Sequence, residues 1–377
     1  MKSIRDAEVK DKKVFLRVDF NVPMKDGKVV SANRLTSAVP TIEYLIERGA
    51  KIIIGTHLGR PEGKYDPAFS TVPVAEELSK ILNKSVSGTD HVVSPIIEEK
   101  IMEMKNGEII LLGNLRFHPE EEDNNNEFAK KLASYVDLYV NDAFAVSHRS
   151  NASVDAITQF LPSYSGLLLE SEITTLNLLL TNPEHPFVLV VGGAKVKDKA
   201  GVLEKLAEKA DNILIGGAVG NTFLAAKGQN VSKSLVESEM FEKCKELMDK
   251  LKDKIMLPND SVNEEMENGE FRSLDIGRST IVNFVREIND AKCIFWNGNL
   301  GYTEDTKYCG GTLAIAKAMS DNLNVKVAAG GDTVGFIEQN GLRGGFSFIS
   351  TGGSATMEFL AGVALPGIVA LERVNQI

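Results

Sequence analysis

The chain has 377 residues, 43% of them hydrophobic and 25% charged, which is typical of a globular protein with two domains. A net charge of −10 argues against nucleic-acid and anionic-membrane partners, and no apolar run approaches the length of a membrane span. The three cysteines show no CxxC spacing and are too few for a disulfide framework, and the N-terminus does not resemble a signal peptide, so we expect a cytoplasmic protein.

The first half of the chain alternates between predicted strands and helices. Strands are expected at residues 14–18, 51–54, 109–112 and 138–140, and helices over residues 74–82 and 128–135, with a further helix ending at 40–48. Strands separated by helices are typical of βαβ units, so we expect a parallel sheet with right-handed crossovers.

Polar and basic side chains follow each of these four strands. They are Arg17, Asp19, Asn21, His57, Arg60, Asn114, Arg116, Asn141, Asp142, His148 and Arg149, and Arg34 lies at the start of the amphipathic stretch after the first strand. Guanidinium groups bind phosphate and carboxylate bidentately, so this edge of the sheet suits a small polyanion. Taken singly, each of these residues has a simpler interpretation. An isolated surface arginine is usually solvated, Asp19 is equally suited to a cap or turn, and His57 and His148 are equally suited to hydrogen-bonded positions in the core.

The composition changes near residue 180, because 23 of the 32 glycines lie after it. A leucine-rich helix is expected at 166–180, either as a rigid connector between two domains or as an ordinary covering helix.

Five apolar runs in the second half end in glycine-rich turns. The runs are residues 187–191, 213–215, 293–296, 325–329 and 346–349. Such runs are typical of strands buried on both faces, and glycine lets backbone N–H groups approach a ligand beside a helix N-terminus. These turns predict a nucleotide-phosphate site at the edge of a second parallel sheet.

Three of these turns also contain residues suited to phosphate chemistry. Lys195 and Lys199 lie four residues apart and share a face if a helix begins there, although a solvated basic helix start has the same pattern. Asp332 is suited to Mg²⁺ or to a helix cap, and Gly352 and Gly353 precede a helix start. The sequence has neither G-x-x-x-x-G-K-[ST] nor G-x-G-x-x-G, which excludes a Walker-type site and weakens a dehydrogenase interpretation.

Taken in order, these motifs closely resemble the phosphoglycerate kinase family. The shared segments are RVDFNVP, HLGRP, NLRFHPEE, NDAF followed by HR, GGAKVKDK, ILIGGA, WNG, GGDT and STGG. The resemblance implies two doubly wound, Rossmann-like α/β domains of parallel sheet facing each other across a cleft. The implied domains are residues 1–165 with the C-terminal segment 359–377 for 3-phosphoglycerate, an interdomain helix at 166–181, and residues 182–358 for the nucleotide.

The resemblance also assigns roles to individual residues. The substrate-binding set is Asp19, Asn21, Arg34, His57, Arg60, Arg116 and Arg149. The catalytic set is Arg34, Lys199, Gly331 and Gly353. The nucleotide-binding set is Gly192, Lys195, Lys199, Gly216, Gly217, Asn297, Glu304, Gly330, Gly331, Asp332, Thr333 and Gly352, and Asp332 would hold Mg²⁺ through the nucleotide.

The implied activity is reversible phosphoryl transfer between 1,3-bisphosphoglycerate and ADP, giving 3-phosphoglycerate and ATP. Hinge closure would allow in-line transfer, and a monomer is expected. Four positions depart from the family pattern: Gly113, Asn151, Asn299 and Ser354. They support the alternative of a non-catalytic nucleotide- or partner-binding protein on the same scaffold.

Overall fold

The computed structural model describes residues 1–374, which form two compact units. Unit 1 comprises residues 1–174 together with the C-terminal segment from Ala364, and unit 2 comprises residues 175–363. Residues 375–377 of the predicted C-terminal segment lie outside the described residues. The boundary between the units falls within a helix, Leu167–Thr181, at the position predicted for 166–180.

Unit 1 is built on a six-stranded parallel sheet. Its strands are β1 (Lys13–Arg17), β4 (Lys51–Gly55), β5 (Val86–Gly88), β6 (Ile109–Leu111), β7 (Leu138–Asn141) and β8 (Ser163–Ser165), and a hairpin pairs β2 (Met24–Lys25) with β3 (Lys28–Val29). The strand order is β5-β6-β4-β1-β7-β8. Central strands are buried on both faces, which confirms the predicted doubly wound α/β class for this unit.

The helices of unit 1 cover both faces of that sheet. They are α1 (Asn33–Glu47), α2 (Val72–Leu82), α3 (Pro95–Glu103), α4 (Pro119–Glu122), α5 (Asn126–Ala133), α6 (Leu167–Thr181) and the C-terminal α14 (Pro366–Val374). Helix α1 begins seven residues before Pro40, where the sequence pattern had indicated only its final part. Its buried face, which includes Leu35, Ala38 and Ile42, carries the helix through the proline, and this places Arg34 in the first turn.

Unit 2 is built on a second six-stranded parallel sheet. Its strands are β9 (Phe187–Val191), β10 (Asn212–Ile215), β11 (Ile255–Met256), β14 (Cys293–Asn297), β15 (Val325–Ala329) and β16 (Phe348–Ile349), in the order β11-β10-β9-β14-β15-β16. Every residue of β9 and β14 is buried, because helices pack on both sides. An antiparallel pair, β12 (Ser261–Glu265) and β13 (Phe271–Ile276), lies outside this sheet.

Helices of unit 2 follow the five glycine turns as the sequence predicts. They are α7 (Lys197–Leu206), α8 (Gly217–Ala226), α11 (Gly310–Asp321), α12 (Gly331–Gln339) and α13 (Ser354–Leu360). Two other helices, α9 (Phe241–Leu251) and α10 (Arg278–Asp290), do not follow these turns. In each sheet, the strand that comes first in the chain pairs on one side with the next strand of that sheet and on the other side with a much later one. Strand β1 lies between β4 and β7, and β9 lies between β10 and β14. Open α/β sheets bind ligands at the carboxyl ends of strands beside such a switch point.

Candidate functional site

In unit 1 the carboxyl ends of β1, β4, β6 and β7 are adjacent, so the polar side chains predicted for that edge come together. His57, which follows β4, is the centre of this group and is buried. Burial, and then the positive charges of Arg17, Arg116, Arg34 and Arg149, lower the pKa of its ring. The arginines that follow these adjacent strands make this edge of the sheet cationic in an acidic protein.

Asp19 follows β1 and organises two of these side chains. Its Oδ2 accepts a hydrogen bond from the guanidinium of Arg34, and its Oδ1 accepts one from the backbone N–H of Asn21 at 3.1 Å. Nδ1 of His57 lies 3.8 Å from Asp19 Oδ1. Burial, reinforced by the neighbouring arginines, holds the pKa of His57 well below its usual value, so the ring is neutral and this contact is not an ion pair.

The turns after β1 and β4 are tied together by Asn21 and Gly59. The side-chain oxygen of Asn21 accepts a hydrogen bond from the N–H of Gly59 at 2.9 Å, and Arg116 donates from Nη1 to the carbonyl of Gly59 at 3.0 Å. Arg60, the next residue, is exposed. The predicted substrate residues of three different strands are therefore joined through one short backbone segment.

A carboxylate that the sequence did not single out lies among the arginines. Oε1 of Glu122 is 3.3 Å from Nε of Arg116 and 4.0 Å from Nη1 of Arg149. Burial lowers the pKa of Arg116, while the charge of Glu122 acts in the opposite direction. Glu122 occupies a position between two guanidinium groups where the anionic group of a ligand is expected.

Arg17, although it belongs to the first motif, has a structural role. It is fully buried, donates from Nε to the hydroxyl of Ser153 at 2.9 Å and also bonds the carbonyl of Val18. The same hydroxyl donates to the buried carboxylate of Glu121 at 2.6 Å. Glu121 lies in a polar stretch of the chain, but α4 turns its side chain inward.

In unit 2 the turns after β9 and β14 cross in direct backbone contact. The N–H of Gly192 bonds the carbonyl of Asn297 at 3.0 Å, and the N–H of Gly193 bonds the carbonyl of Asn299 at 2.8 Å. A Cβ on Gly298 would overlap the carbonyl oxygen of Gly192, and Gly298 also has a φ of +95°. Only glycine satisfies both the spacing and the backbone conformation.

Lys199 lies in the first turn of α7 and bonds the side-chain oxygen of Asn297. Burial lowers its pKa, although the charges of Asp198 and Asp332 act in the opposite direction. Because α7 begins at Lys197, Lys195 is exposed in the turn before the helix, and the predicted shared helical face with Lys199 is wrong.

The turns after β15 and β16 present two further helix N-termini. The hydroxyl of Thr333 accepts the N–H of Gly298 at 2.8 Å, which ties α12 to the turn after β14. Gly331 and Asp332 are exposed in the first turn of α12, next to Gly330 with a φ of +97°. Gly353, with a φ of +53°, directly precedes α13, and Gly352 before it is buried. Backbone N–H groups at helix N-termini favour phosphate.

A cavity of about 710 Å³ lies beside these turns within unit 2. Its lining includes Gly193, Gly217, Asn299, Glu304 and Asp332. This volume is within the usual range for small-molecule and cofactor sites. A Cβ on the buried Gly216 would lie 2.8 Å from the side chain of Leu300, so this wall is closely packed. Residues of four glycine turns and the predicted Glu304 thus line one cavity, whereas the turn with Gly352 and Gly353, and the side chains of Lys195 and Lys199, are not part of its lining.

Two further properties concern metal binding and membrane insertion. Among residues 1–374, no three or more His, Cys, Asp or Glu side chains are grouped to hold a metal ion. Over the same residues, no helix is long and apolar enough to cross a membrane.

The four unusual positions have identifiable surroundings. A Cβ on Gly113 would overlap the backbone of Asp90, so a side chain does not fit there without a shift. Asn151 is buried and donates to the carbonyl of Glu121 at 3.2 Å. Asn299 donates to the hydroxyl of Thr303 at 2.8 Å, and Ser354 is exposed at the first position of α13.

Sequence comparison identifies related proteins over almost the whole chain. A family model described as phosphoglycerate kinase matches residues 4–363. The chain is 43% identical over 387 residues to a phosphoglycerate kinase of Coprothermobacter proteolyticus, covering 98% of each protein. It is also 43% identical over 385 residues to one of Pseudothermotoga lettingae, covering 97% of each.

Comparison of structures leads to the same group of proteins. The chain is similar to the phosphoglycerate kinase of Coxiella burnetii, with a TM-score of 0.88, 36% identity and 98% coverage of both chains. It is similar to that of Pyrococcus horikoshii with the same TM-score, 35% identity and full coverage of both chains.

Proposed function

Because this chain belongs to the phosphoglycerate kinase family, we propose that its two units divide the substrates of one reaction between them. The activity is the reversible transfer of a phosphoryl group between 1,3-bisphosphoglycerate and ADP, which gives 3-phosphoglycerate and ATP. The cationic strand ends of unit 1 bind the phosphorylated acid, and the glycine turns of unit 2 bind the nucleotide.

The observation that carries this proposal is the hydrogen-bonded group at the carboxyl ends of β1, β4 and β6, in which Asp19 binds Arg34 and the backbone of Gly59 binds Asn21 and Arg116. The acid carries a phosphate and a carboxylate, and Arg60, Arg116 and Arg149 supply the planar donors that bind such groups bidentately. Asp19, Asn21 and His57 contribute uncharged or acceptor groups suited to the hydroxyl of the acid. In unit 2, the first turns of α12 and α13, which begin at Gly331 and directly after Gly353, present backbone N–H groups suited to the phosphates.

We propose that catalysis consists of positioning and charge stabilisation. The attacking carboxylate of 3-phosphoglycerate is already ionised, so the reaction requires no general base. Arg34 from unit 1 and Lys199 from unit 2 stabilise the charge on the transferring group, and the N–H groups at Gly331 and Gly353 add fixed dipoles. Hinge closure then brings the two bound reactants together for in-line transfer.

We further propose that Mg²⁺ reaches the site bound to the nucleotide. Asp332 is an exposed carboxylate beside backbone N–H groups, and no cluster of three acidic or other ligating side chains surrounds it among residues 1–374. That environment fits an ion whose remaining ligands are phosphate oxygens and water. The ion supplies neutralisation of the phosphate charge when it is bound.

We also propose a cytoplasmic monomer. The absence of a disulfide framework and the glycolytic character of the reaction support a cytoplasmic location. A monomer is proposed because each unit contains its own group of site residues.

A coupled assay tests the proposed function. Purified chain is mixed with ADP, 1,3-bisphosphoglycerate and Mg²⁺, and ATP formation is followed; the reverse reaction is run with ATP and GTP side by side. We expect ATP formation that depends on Mg²⁺. Nucleotide binding without turnover would favour the non-catalytic alternative, and binding of a nicotinamide cofactor would favour a dehydrogenase.

A further inference from the structure

Asp275, at the end of β13, is a buried carboxylate in the lining of the unit 2 cavity. It is not among the residues that the family resemblance assigns to either substrate. Burial raises its pKa to about 6, although two backbone N–H groups act in the opposite direction. Burying a carboxylate is costly unless its oxygens are hydrogen-bonded, so the partners of Asp275 indicate what it stabilises.

Both carboxylate oxygens of Asp275 accept backbone hydrogen bonds. Oδ2 accepts the N–H of Gly311 at 2.6 Å, and Oδ1 accepts the N–H of Ile276 at 2.9 Å. Gly311 is the second residue of α11, so the carboxylate lies at the positive end of a twelve-residue helix. This interaction fixes the point at which the chain enters α11.

Two glycines pack closely against the same carboxylate. A Cβ on Gly301 or on Gly311 would overlap Oδ1 of Asp275, and neither glycine has a positive φ. Space, and not backbone conformation, therefore requires glycine at these two positions. Residues 301 and 311 are the two ends of one segment, here called the 301–311 loop, and both ends close on Asp275.

Other bonds anchor the same loop to its surroundings. The N–H of Tyr302 bonds the carbonyl of Leu274 at 2.7 Å, next to Asp275 in β13. The hydroxyl of Thr312 accepts the N–H groups of Leu300 and Gly301 at 3.1 and 3.0 Å. Asp275 and Thr312 thus hold the loop from two sides.

The 301–311 loop carries Glu304, which lines the cavity and is exposed. Glu304 has the position that the family resemblance assigns to the ribose. Its distance from the rest of the cavity depends on where the loop is held.

We propose that Asp275 is a positioning residue that holds the 301–311 loop, and with it Glu304, in the conformation that binds the nucleotide. This inference rests on the proposed nucleotide site in unit 2. Asp275 acts through the loop and α11 and makes no contact with the reacting phosphoryl group in this proposal.

The test compares Asp275→Asn with the unaltered chain. Asparagine keeps the size but replaces one acceptor oxygen with an amide N–H, which faces the N–H of Gly311. We expect KM for ADP and the Kd for ADP measured by calorimetry to rise about tenfold, because the 301–311 loop loses a charged hydrogen bond that holds it. We expect KM for 1,3-bisphosphoglycerate and kcat to change less than threefold.

A second variant keeps the proposal testable if Asp275→Asn does not fold. Thr312→Val removes the hydroxyl that accepts from Leu300 and Gly301 while keeping the shape of the buried side chain. The same selective rise in the Kd for ADP is expected. Ser94→Ala is the control, because Ser94 caps α3 in unit 1 and its loss should lower stability without changing ADP binding.

Unchanged ADP affinity in folded Asp275→Asn and Thr312→Val would overturn the inference. An equal loss of affinity for ADP and for the acid would also overturn it, since that result indicates general destabilisation. Failure of the unaltered chain to turn over would contradict the proposed function instead. Calorimetry with ADP alone still decides the role of Asp275 in that case.

Discussion

Nε of Arg116 lies 3.3 Å from a carboxylate oxygen of Glu122, a side chain that is 46% exposed. The same oxygen is 4.0 Å from Nη1 of Arg149. Both arginines are proposed to bind the phosphorylated acid, so the ligand must displace Glu122 or share the guanidinium groups with it. We therefore expect Glu122 to compete with the acid for these two guanidinium groups.

Glu122→Gln should lower KM for 3-phosphoglycerate. Exposed ion pairs are worth about 0.2–1 kcal/mol, so the expected decrease is up to about fivefold and is smaller at high salt. Glu98→Gln is the matched control, because Glu98 pairs with Lys131 at 3.3 Å on the surface of the same unit. A rise in KM for Glu122→Gln would show that Glu122 positions the arginines and does not compete with the ligand.

Arg34→Ala should lower kcat by about 100-fold or more while leaving the Kd for ADP unchanged. The reason is that Arg34 is proposed to act on the transferring group, and charge stabilisation of that kind is realised in the transition state. Steady-state kinetics and ADP calorimetry measure the two quantities. Arg5→Ala, which removes an exposed arginine paired with Glu170, is the control. Retention of kcat in Arg34→Ala would remove this residue from the mechanism.

His57 should make the stability of the chain fall in acid. Its pKa is well below 6.5 in the folded state, so between the two pKa values the unfolded chain binds more protons. The contribution is present above pH 6.5 and is lost as the pH falls from 6.5 toward the folded pKa, by at most about 1.4 kcal/mol per pH unit.

The urea midpoints of the unaltered chain and of His57→Gln at pH 7 and 5.5 measure this effect. The unaltered chain should lose more stability over that interval than His57→Gln, because glutamine does not titrate. His91→Gln is the control on an exposed histidine. Equal losses in the unaltered chain and in His57→Gln would contradict the neutral, buried state of His57.

Gly298→Ala should destabilise unit 2 and weaken ADP binding. Its Cβ would overlap the carbonyl of Gly192, and overpacking costs about 1–3 kcal/mol in addition to the strain of a positive φ. Gly228→Ala is a matched control with a φ of +85° and no neighbouring atom within 4 Å of the added Cβ. Thermal unfolding that is equally affected in both variants would show that the crossing of the two turns contributes nothing.

The sequence predicted the parts of the fold that have a strong local pattern. Apolar runs such as Phe187–Val191 become strands buried on both faces, and the glycines after them occur where two backbones meet. The pair β12 and β13 was missed because its residues alternate irregularly between exposed and partly buried positions. Short strands such as Val86–Gly88 lack enough residues for a periodic signal.

The site residues also divide into those that the sequence predicted and those that it did not. Arginines after strand ends were predictable because the topology brings those ends together. Glu122 and Asp275 were not, since each is a single carboxylate whose partners are distant in sequence or belong to the backbone. Arg17 shows the converse, because its motif position indicates a ligand while its partners in the fold are Ser153 and Val18.

The central claim is that unit 1 binds the acid and unit 2 binds the nucleotide, and calorimetry on two variants tests it most directly. Arg116→Ala and Lys199→Ala are each titrated with 3-phosphoglycerate and with ADP. We predict that Arg116→Ala loses about tenfold or more in affinity for the acid and keeps its ADP affinity, and that Lys199→Ala shows the opposite pattern. Loss of both ligands in either folded variant, or exchange of the two patterns, would contradict the claim.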